Sequence, residues 1–209
     1  MFTIINYGVG NLGSISNMLA YLGVEHRVSA SPEDVLSAER LLLPGVGSFD
    51  FGMSKLNNSG LIGVLHQRVC VDKVPVMGIC LGMQIMCKSS EEGEASGLGW
   101  FDANVKKFDL NLMDKHRPVP HTGWNGVRFT QAHLVSSHIP EDPRFYFVHS
   151  YHVVCDHPAD QWMQAEYGYA FTAALASENK LAVQFHPEKS HKFGLTLLKN
   201  FSSWSYVPS

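Results

Sequence analysis

The chain has 209 residues and a formal net charge of −3, and 45% of its residues are hydrophobic against 17% charged. This composition is typical of a folded globular protein, and the slight acidity gives no reason to expect nucleic acid or an anionic membrane as a partner. We find no apolar stretch long enough for a membrane span and no signal-peptide pattern at the N-terminus. The four cysteines form no C-x-x-C pair, which favours free thiols and a cytoplasmic protein.

The first ninety residues alternate predicted strands with predicted helices. Ser14–Leu22 is predicted as a helix that stops at Gly23, and Ser31 is predicted as the N-cap of a second helix that begins at Pro32. The strands are predicted at Phe2–Asn6, Val24–Ala30, Arg40–Pro44 and Val74–Ile79. This alternation is typical of a parallel sheet with helices on both faces.

From about residue 97 to residue 182 the pattern changes to β-like segments separated by polar loops, and the chain ends in helical spacing at His191–Trp204. The β-like segments include Val127–Thr130, Phe145–His149, Met163–Tyr167 and Leu181–Phe185. We therefore expect a single α/β domain over residues 1–209. Its open, mostly parallel sheet should carry helices on both faces, and the second half should add antiparallel strands.

The sharpest chemical signal is a nucleophile between two glycines at a predicted strand-to-helix turn, Gly78-Ile79-Cys80-Leu81-Gly82. Flanking glycines allow the sharp bend that exposes one side chain above a sheet, and the following helix directs its N-terminal N–H groups towards the thiol, which favours thiolate. The same five residues would also suit a tight turn around a small buried side chain.

A cysteine nucleophile needs a base, and the base needs a group that orients it. His186-Pro187-Glu188 supplies both, directly after the predicted strand Leu181–Phe185. An isolated histidine is more often a packed or solvated residue, and the chain has 11 of them. The neighbouring carboxylate and the position at a strand end distinguish His186 from the others.

Two glycine-rich turns remain. Pro44-Gly45-Val46-Gly47 follows a strand, and its backbone N–H groups could join that of Leu81 in an oxyanion hole, although it would also serve as a plain turn. Gly8–Gly13 matches the dinucleotide pattern G-x-G-x-x-G, but no acidic residue ends the second predicted strand, so we do not expect a nucleotide.

His149–His152 lacks a carboxylate or cysteine at ligand spacing, which favours a pocket-lining loop over a metal site.

Three motifs follow one another in a fixed order: Pro-Gly-Val-Gly at 44–47, Gly-Ile-Cys-Leu-Gly-Met-Gln at 78–84 and Phe-His-Pro-Glu-Lys-Ser at 185–190. Together they resemble the class I glutamine amidotransferases. Further segments at 6–12, 119–125 and 147–151 are similar to the glutaminase subunits of imidazole glycerol phosphate synthases. The resemblance runs from about residue 2 to residue 201.

The resemblance implies that Cys80 attacks the side-chain amide of L-glutamine and releases ammonia, without cofactor or metal. His186 would act as acid and base, and Glu188 would orient it. The backbone N–H groups of Val46 and Leu81 would stabilise the oxyanion. The residues that would hold glutamine are Gly47, Gln84, Glu92, Ser150 and Tyr151.

The resemblance also implies a heterodimer with a (β/α)₈-barrel cyclase subunit, which would use the ammonia to close the imidazole ring in histidine biosynthesis. The residues that would face this partner are Asn11, Trp124, Tyr146 and Lys189.

Two departures from the family pattern leave the ammonia acceptor open. Thr122 stands where a methionine is usual, and His191-Lys192-Phe193 stands where smaller or acidic residues are expected. Such features resemble duplicate copies that supply ammonia for sugar amidination in surface-polysaccharide synthesis. Two other classes also remain as alternatives: a cysteine hydrolase that acts alone, and a nucleotide-binding module built on Gly8–Gly13.

Overall fold

The computed structural model describes residues 1–113 and 117–207. Over these residues the chain forms six α-helices: α1 Leu12–Tyr21, α2 Pro32–Leu36, α3 Phe49–Asn58, α4 Ile62–His66, α5 Leu81–Ile85 and α6 His191–Ser203. The strands of the same residues are β1 Phe2–Ile5, β2 His26–Ser29, β3 Arg40–Gly45, β4 Val76–Cys80, β5 Ser89–Ser90, β6 Ala103–Lys107, β7 His121–Phe129, β8 Arg144–His149, β9 Tyr151–Cys155, β10 Gln161–Tyr167, β11 Tyr169–Ser177 and β12 Lys180–Val183.

The strands form one mixed sheet whose main path runs β2-β1-β3-β4-β12-β11-β10-β7-β8. The five strands from β2 to β12 are parallel, and from β12 to β8 each neighbouring pair is antiparallel. A side branch joins β9 to β11 and to β6, with β5 beside β6. The predicted α/β class, with parallel strands first and antiparallel strands added by the second half, is confirmed.

The insertion of β12 beside β4 creates the geometry on which the site depends. Val183 pairs with Ile79, and Gly45 at the end of β3 pairs with Cys80. The carboxyl ends of three parallel strands from distant parts of the chain therefore meet at one edge. In open α/β sheets this is the edge at which ligands bind.

The two faces of the parallel strands bury different side chains, as the two-residue period of a strand requires. In β3, Leu42 faces one apolar cluster, which α1 and α6 cover, while Leu41 and Leu43 face a second cluster, which α2 to α5 cover. Helices thus lie on both faces of the sheet, as predicted. None of the helices in the described ranges is long and apolar enough to cross a membrane.

Side-chain caps explain the starts of α1 and α2. The hydroxyl of Ser31 accepts a hydrogen bond from the N–H of Asp34 at 3.3 Å, and Pro32 opens the first turn, so the predicted N-cap is confirmed. The side chain of Asn11 caps α1 by accepting from Ser14 N at 3.4 Å.

Candidate active site

Cys80 lies at the junction of β4 and α5 in a strained backbone conformation, with φ +54° and ψ −110°. A non-glycine residue with such a φ is held there by its surroundings, which is common at functional sites. Gly82, two residues further on, has no room for a side chain, because a Cβ there would lie 1.8 Å from the carbonyl oxygen of Leu43. The predicted turn is thus a nucleophile elbow, which brings Cys80 to the edge of the sheet with 8% of its surface exposed.

His186 and Glu188 form a buried pair immediately after β12. Nδ1 of His186 lies 2.7 Å from Oε1 of Glu188, and the two side chains are 2% and 1% exposed. A carboxylate at Nδ1 fixes the tautomer and leaves Nε2 to face the reacting groups. Within the described residues Nε2 of His186 has no hydrogen-bond partner. The pair therefore has the orientation of a base and its positioning carboxylate.

The surroundings of His186 favour its charged form. Burial disfavours the imidazolium, but the interactions with Cys80 and Glu188 outweigh burial and raise the pKa of His186 to about 10. Burial raises the pKa of the Cys87, Cys70 and Cys155 thiols, and at Cys70 it outweighs the opposing effect of Lys180 and Lys73. Of the four cysteines, Cys80 is the one whose interaction contributes to the raised pKa of His186.

The Pro44-Gly45-Val46-Gly47 turn lies directly beside the elbow. A Cβ on Gly45 would lie 2.8 Å from the Cβ of Leu81, and Gly47 has a φ of +104°, which glycine adopts without strain. The hydroxyl of Tyr7 donates a 2.7 Å hydrogen bond to the carbonyl of Pro44. The turn is therefore held against the nucleophile from the side of the N-terminal loop.

A cavity of about 290 Å³ opens above Cys80 and His186. Every residue to which the sequence assigned an oxyanion or glutamine-binding role lines it: Val46, Leu81, Gly47, Gln84, Glu92, Ser150 and Tyr151. Two further lining residues, Pro120 and Val148, were not predicted, whereas His149 belongs to the loop that was expected to line a pocket. A larger cavity of about 520 Å³ lies along β7 and β10, but no cysteine or histidine of the described ranges lines it. The smaller cavity is therefore the candidate active site, because Cys80 and His186 line it.

Glu92 has a structural contact besides its place in the cavity. Its Oε2 accepts a 2.8 Å hydrogen bond from the N–H of Phe49 at the start of α3. In return Asp50 of α3 accepts from the N–H groups of Glu94 and Ala95. These reciprocal bonds fix the 91–95 loop to a helix N-terminus, where negative charge is favoured. The loop carries one wall of the cavity.

Two residues at this site were missed by the sequence analysis. Tyr7 was read only as part of a family segment, and Gln184 only as part of a strand. The side chain of Gln184 is fully buried and its Nε2 lies 3.8 Å from Sγ of Cys80. The available signal was chemical: Gln184 is a lone amide in the otherwise apolar run Leu181–Phe185.

Three of the four residues assigned to a partner face lie together with a fourth that was not assigned. We define this aromatic patch as Trp124, Tyr146, Lys189 and His191. Trp124 pairs directly with Tyr146 across β7 and β8, and their rings meet edge to face at 6.4 Å. His191 stacks on Trp124 at 5.4 Å, and Nζ of Lys189 lies 5.6 Å above the ring of Tyr146. Asn11 is exposed at the start of α1, which packs near the Pro187–Lys189 turn.

Comparison with known proteins places this architecture in a family. The family model described as glutamine amidotransferase class-I matches residues 3–203. The imidazole glycerol phosphate synthase subunit HisH 2 of Methanococcus maripaludis is 48% identical over 201 residues, covering 96% of this chain and 98% of the relative. The protein of the same name from Pseudomonas aeruginosa is 49% identical over 201 residues, with the same coverage.

Solved structures show the same fold at lower identity. A crystal structure described as glutamine amidotransferase has a TM-score of 0.71 at 16% identity, covering 97% of this chain and 99% of its own. The glutaminase domain of Trypanosoma brucei CTPS, solved with bound acivicin, has a TM-score of 0.65 at 16% identity, covering 99% of this chain and 95% of its own. With these matches over almost the whole described chain, the protein belongs to the class I glutamine amidotransferase family.

Proposed function

We propose that this protein hydrolyses L-glutamine to glutamate and ammonia with Cys80, His186 and Glu188, and passes the ammonia to a partner synthase. The observation that carries the proposal is the strained cysteine elbow, which shares one cavity with a buried histidine–carboxylate pair. The match to the family described as glutamine amidotransferase class-I supports glutamine as the substrate, and the relatives named as HisH subunits of imidazole glycerol phosphate synthase support a partner synthase.

In the first half-reaction the thiolate of Cys80 attacks the side-chain amide carbon of glutamine, and the carbonyl oxygen becomes an oxyanion. Nε2 of His186 gives its proton to the amide nitrogen, the carbon–nitrogen bond breaks, and ammonia leaves. The product on the enzyme is a thioester of glutamate with Cys80. The raised pKa of His186 suits this step, because the acid is already protonated at neutral pH.

In the second half-reaction water takes the position that ammonia has left. Neutral His186 removes a proton from the water as it attacks the thioester, the carbon–sulfur bond breaks, and glutamate leaves with Cys80 again as thiolate. His186 ends protonated, as it began. Glu188 keeps its hydrogen bond to Nδ1 throughout and stabilises the imidazolium without transferring a proton.

The oxyanion would be stabilised by the backbone N–H groups of Val46 and Leu81, one from the turn after β3 and one from the first residue of α5. Each such donor contributes about 10²–10³-fold in rate in comparable sites. Gly47, Gln84 and Glu92 would hold the substrate from one side of the cavity and the Ser150–Tyr151 segment from the other.

Active-site labelling tests the chemistry directly. A diazo-ketone analogue of glutamine should label Cys80 and abolish glutamate release, and Cys80→Ala should abolish labelling. Cys155→Ser is the matched control, because Cys155 is only partly buried and does not line the cavity. Labelling of another cysteine, with Cys80 unmodified and activity lost, would contradict the assignment.

The partner we propose is a (β/α)₈-barrel cyclase subunit in a heterodimer, docked on the aromatic patch and Asn11, with imidazole glycerol phosphate as the product. Large amphipathic side chains such as Trp124 and Tyr146 are common at the centres of interfaces. The patch is also joined to the triad, because the N–H of His186 donates a 2.9 Å hydrogen bond to the carbonyl of Tyr146. Glutamate release should therefore rise at least about tenfold when both partner and acceptor ligand are present.

A different acceptor, in sugar amidination, is favoured by one observation. His191, a departure from the family pattern, stacks directly on Trp124 at the proposed docking surface. Titration of the glutaminase with a histidine-pathway cyclase and with a sugar amidotransferase discriminates the two, the true partner being the one that raises glutamate release. Equal rates with either partner and with none would favour a hydrolase that acts alone.

A further inference from the structure

Two buried amides connect the wall of the cavity to the nucleophile. Gln184 is 0% exposed and Gln84 is 5% exposed. Nε2 of Gln84 donates to Oε1 of Gln184 at 3.0 Å, and Nε2 of Gln184 faces Sγ of Cys80 at 3.8 Å. The proposed reaction assigns Gln184 no role, yet a buried polar side chain is costly unless its hydrogen bonds are made.

The direction of this hydrogen-bond chain is fixed by a backbone carbonyl. Nε2 of Gln84 also lies 3.2 Å from the carbonyl of Tyr151, which can only accept. The amide nitrogen of Gln84 must therefore face Tyr151, and its second hydrogen meets the oxygen of Gln184. The nitrogen of Gln184 is then the atom that faces Cys80, so an N–H donor points at the sulfur.

The outer end of the chain is equally constrained. The Tyr151 carbonyl also accepts from Nδ1 of His149 at 2.8 Å, which leaves Nε2 of His149 to accept from Nδ1 of His121 at 2.9 Å. Nε2 of His121 in turn faces Nδ2 of Asn125 at 3.3 Å. In this arrangement His149 and His121 are both neutral, and each of the three contacts joins one donor to one acceptor. Burial agrees with this assignment, since it lowers the pKa of His149 to about 3 and that of His121 to about 4.

We propose that Gln184 is a positioning residue for the glutaminase reaction, at the inner end of this series of uncharged hydrogen-bonded side chains. It holds the amide of Gln84 in one orientation towards the substrate cavity, and it donates a hydrogen bond to the thiolate of Cys80. The proposal rests on the glutaminase function proposed above. Gln184 acts through Gln84 and Cys80 and does not touch the substrate.

Three variants of Gln184 test this. Gln184→Met keeps the length and volume of the side chain but removes both hydrogen bonds. We expect it to raise KM for glutamine about three- to tenfold and to slow alkylation of Cys80 by iodoacetamide about three- to tenfold, the range for one lost hydrogen bond. Gln184→Glu keeps an acceptor for Gln84 and should return KM to within about twofold of wild type. If Gln184→Met does not fold, Gln184→Asn is expected to show the same two losses, because its shorter side chain cannot span both partners.

The matched control is Asn179→Leu. Asn179 is also 0% exposed, and its amide donates to the carbonyls of Val69 and Val74, at the opposite ends of the parallel strands. It should lower Tm and leave both KM and the alkylation rate unchanged. Wild-type KM and alkylation in the folded Gln184 variant, or equal losses in Asn179→Leu, would overturn the proposal. If the wild-type protein never releases glutamate, the proposed function is refuted. The alkylation rate of Cys80 still tests the role of Gln184 in that case, because alkylation needs no glutamine.

Discussion

Glu188→Gln is the substitution whose consequence the structure defines most closely. It replaces a carboxylate by an amide of the same shape at a side chain that is 1% exposed. Its Oε1 lies 2.7 Å from Nδ1 of His186, and it is one of the two groups that raise the pKa of His186 to about 10 against the effect of burial. Without the carboxylate, only the interaction with Cys80 opposes burial, and the pKa of His186 should fall.

The size of the effect follows from the charge that is lost, because the amide oxygen of a glutamine can still accept a hydrogen bond from Nδ1. A hydrogen bond to a charged group contributes about 1.5–3 kcal/mol and one to a neutral group about 0.5–1.5 kcal/mol, so the loss of about 1–1.5 kcal/mol corresponds to about 5- to 13-fold in kcat. Glu188 does not line the cavity, so KM should change by less than about threefold. His186→Ala should cost more, because both proton transfers need the imidazole.

The stability of the variant should depend on pH in a defined direction. A histidine with a raised pKa in the folded state stabilises the fold fully below about pH 6.5, and this contribution is lost as pH rises through 10. The free energy of unfolding of Glu188→Gln should therefore be furthest below that of wild type at or below pH 6.5, and the difference should vanish above about pH 10. Denaturant unfolding at several pH values measures this.

The decisive assay is steady-state glutamate release with the purified partner complex. The control is Glu178→Gln, because the partners of Glu178 among the described residues are Lys73 and Lys180 on the surface, away from the cavity, and its loss should leave kcat unchanged. Wild-type kcat in Glu188→Gln, with an unaltered pH profile, would refute the assignment of Glu188 as the orienting group.

Three further outcomes are expected. Tyr7→Phe removes the donor to the Pro44 carbonyl and should lower kcat about three- to tenfold with little change in KM, measured by glutamate release. Trp124→Ala should weaken partner binding at least about tenfold in calorimetry and leave basal glutamate release unchanged. His121 and His149 are neutral when folded and take up protons near pH 6.5 when unfolded. The free energy of unfolding should therefore fall by about 2 kcal/mol per histidine from pH 7 to pH 5, and denaturant titrations that show no fall would contradict their buried neutral state.

The parts of the site that the sequence predicted are those whose partners are close along the chain. The elbow needs only residues 78–82, and the base and its carboxylate are two residues apart. Both follow strands whose apolar runs are easily recognised, and parallel strands bring their carboxyl ends to one edge. Element bounds differed by a few residues, as with α1, predicted at Ser14–Leu22 and observed at Leu12–Tyr21.

The parts that could not be predicted depend on contacts between distant segments. The hydrogen bond from Tyr7 to Pro44 spans 37 residues, and that from Gln84 to Gln184 spans 100. No spacing rule links such positions, because the distance between them is set by the order of strands in the sheet. The insertion of β12 beside β4 decides where Gln184 lies, and a pattern of strands and helices does not reveal that order.

Two hydrogen-bonded routes start from the strands of the aromatic patch, and they end at different residues of the site, one at His186 and the other beside Cys80. One runs from the Tyr146 carbonyl on β8 to the backbone of His186, and so acts on the group that moves protons. The other begins at Asn125 on β7, next to Trp124, and ends at the amide of Gln184, which faces the sulfur of Cys80. Because Trp124 and Tyr146 pair directly across β7 and β8, a partner that shifts this strand pair acts on both routes at once. A change in the route from Tyr146 to His186 should alter mainly kcat, whereas a change in the route from Asn125 to Gln184 should also alter KM through Gln84. The ratio of the two changes on partner binding therefore reports which route carries the coupling.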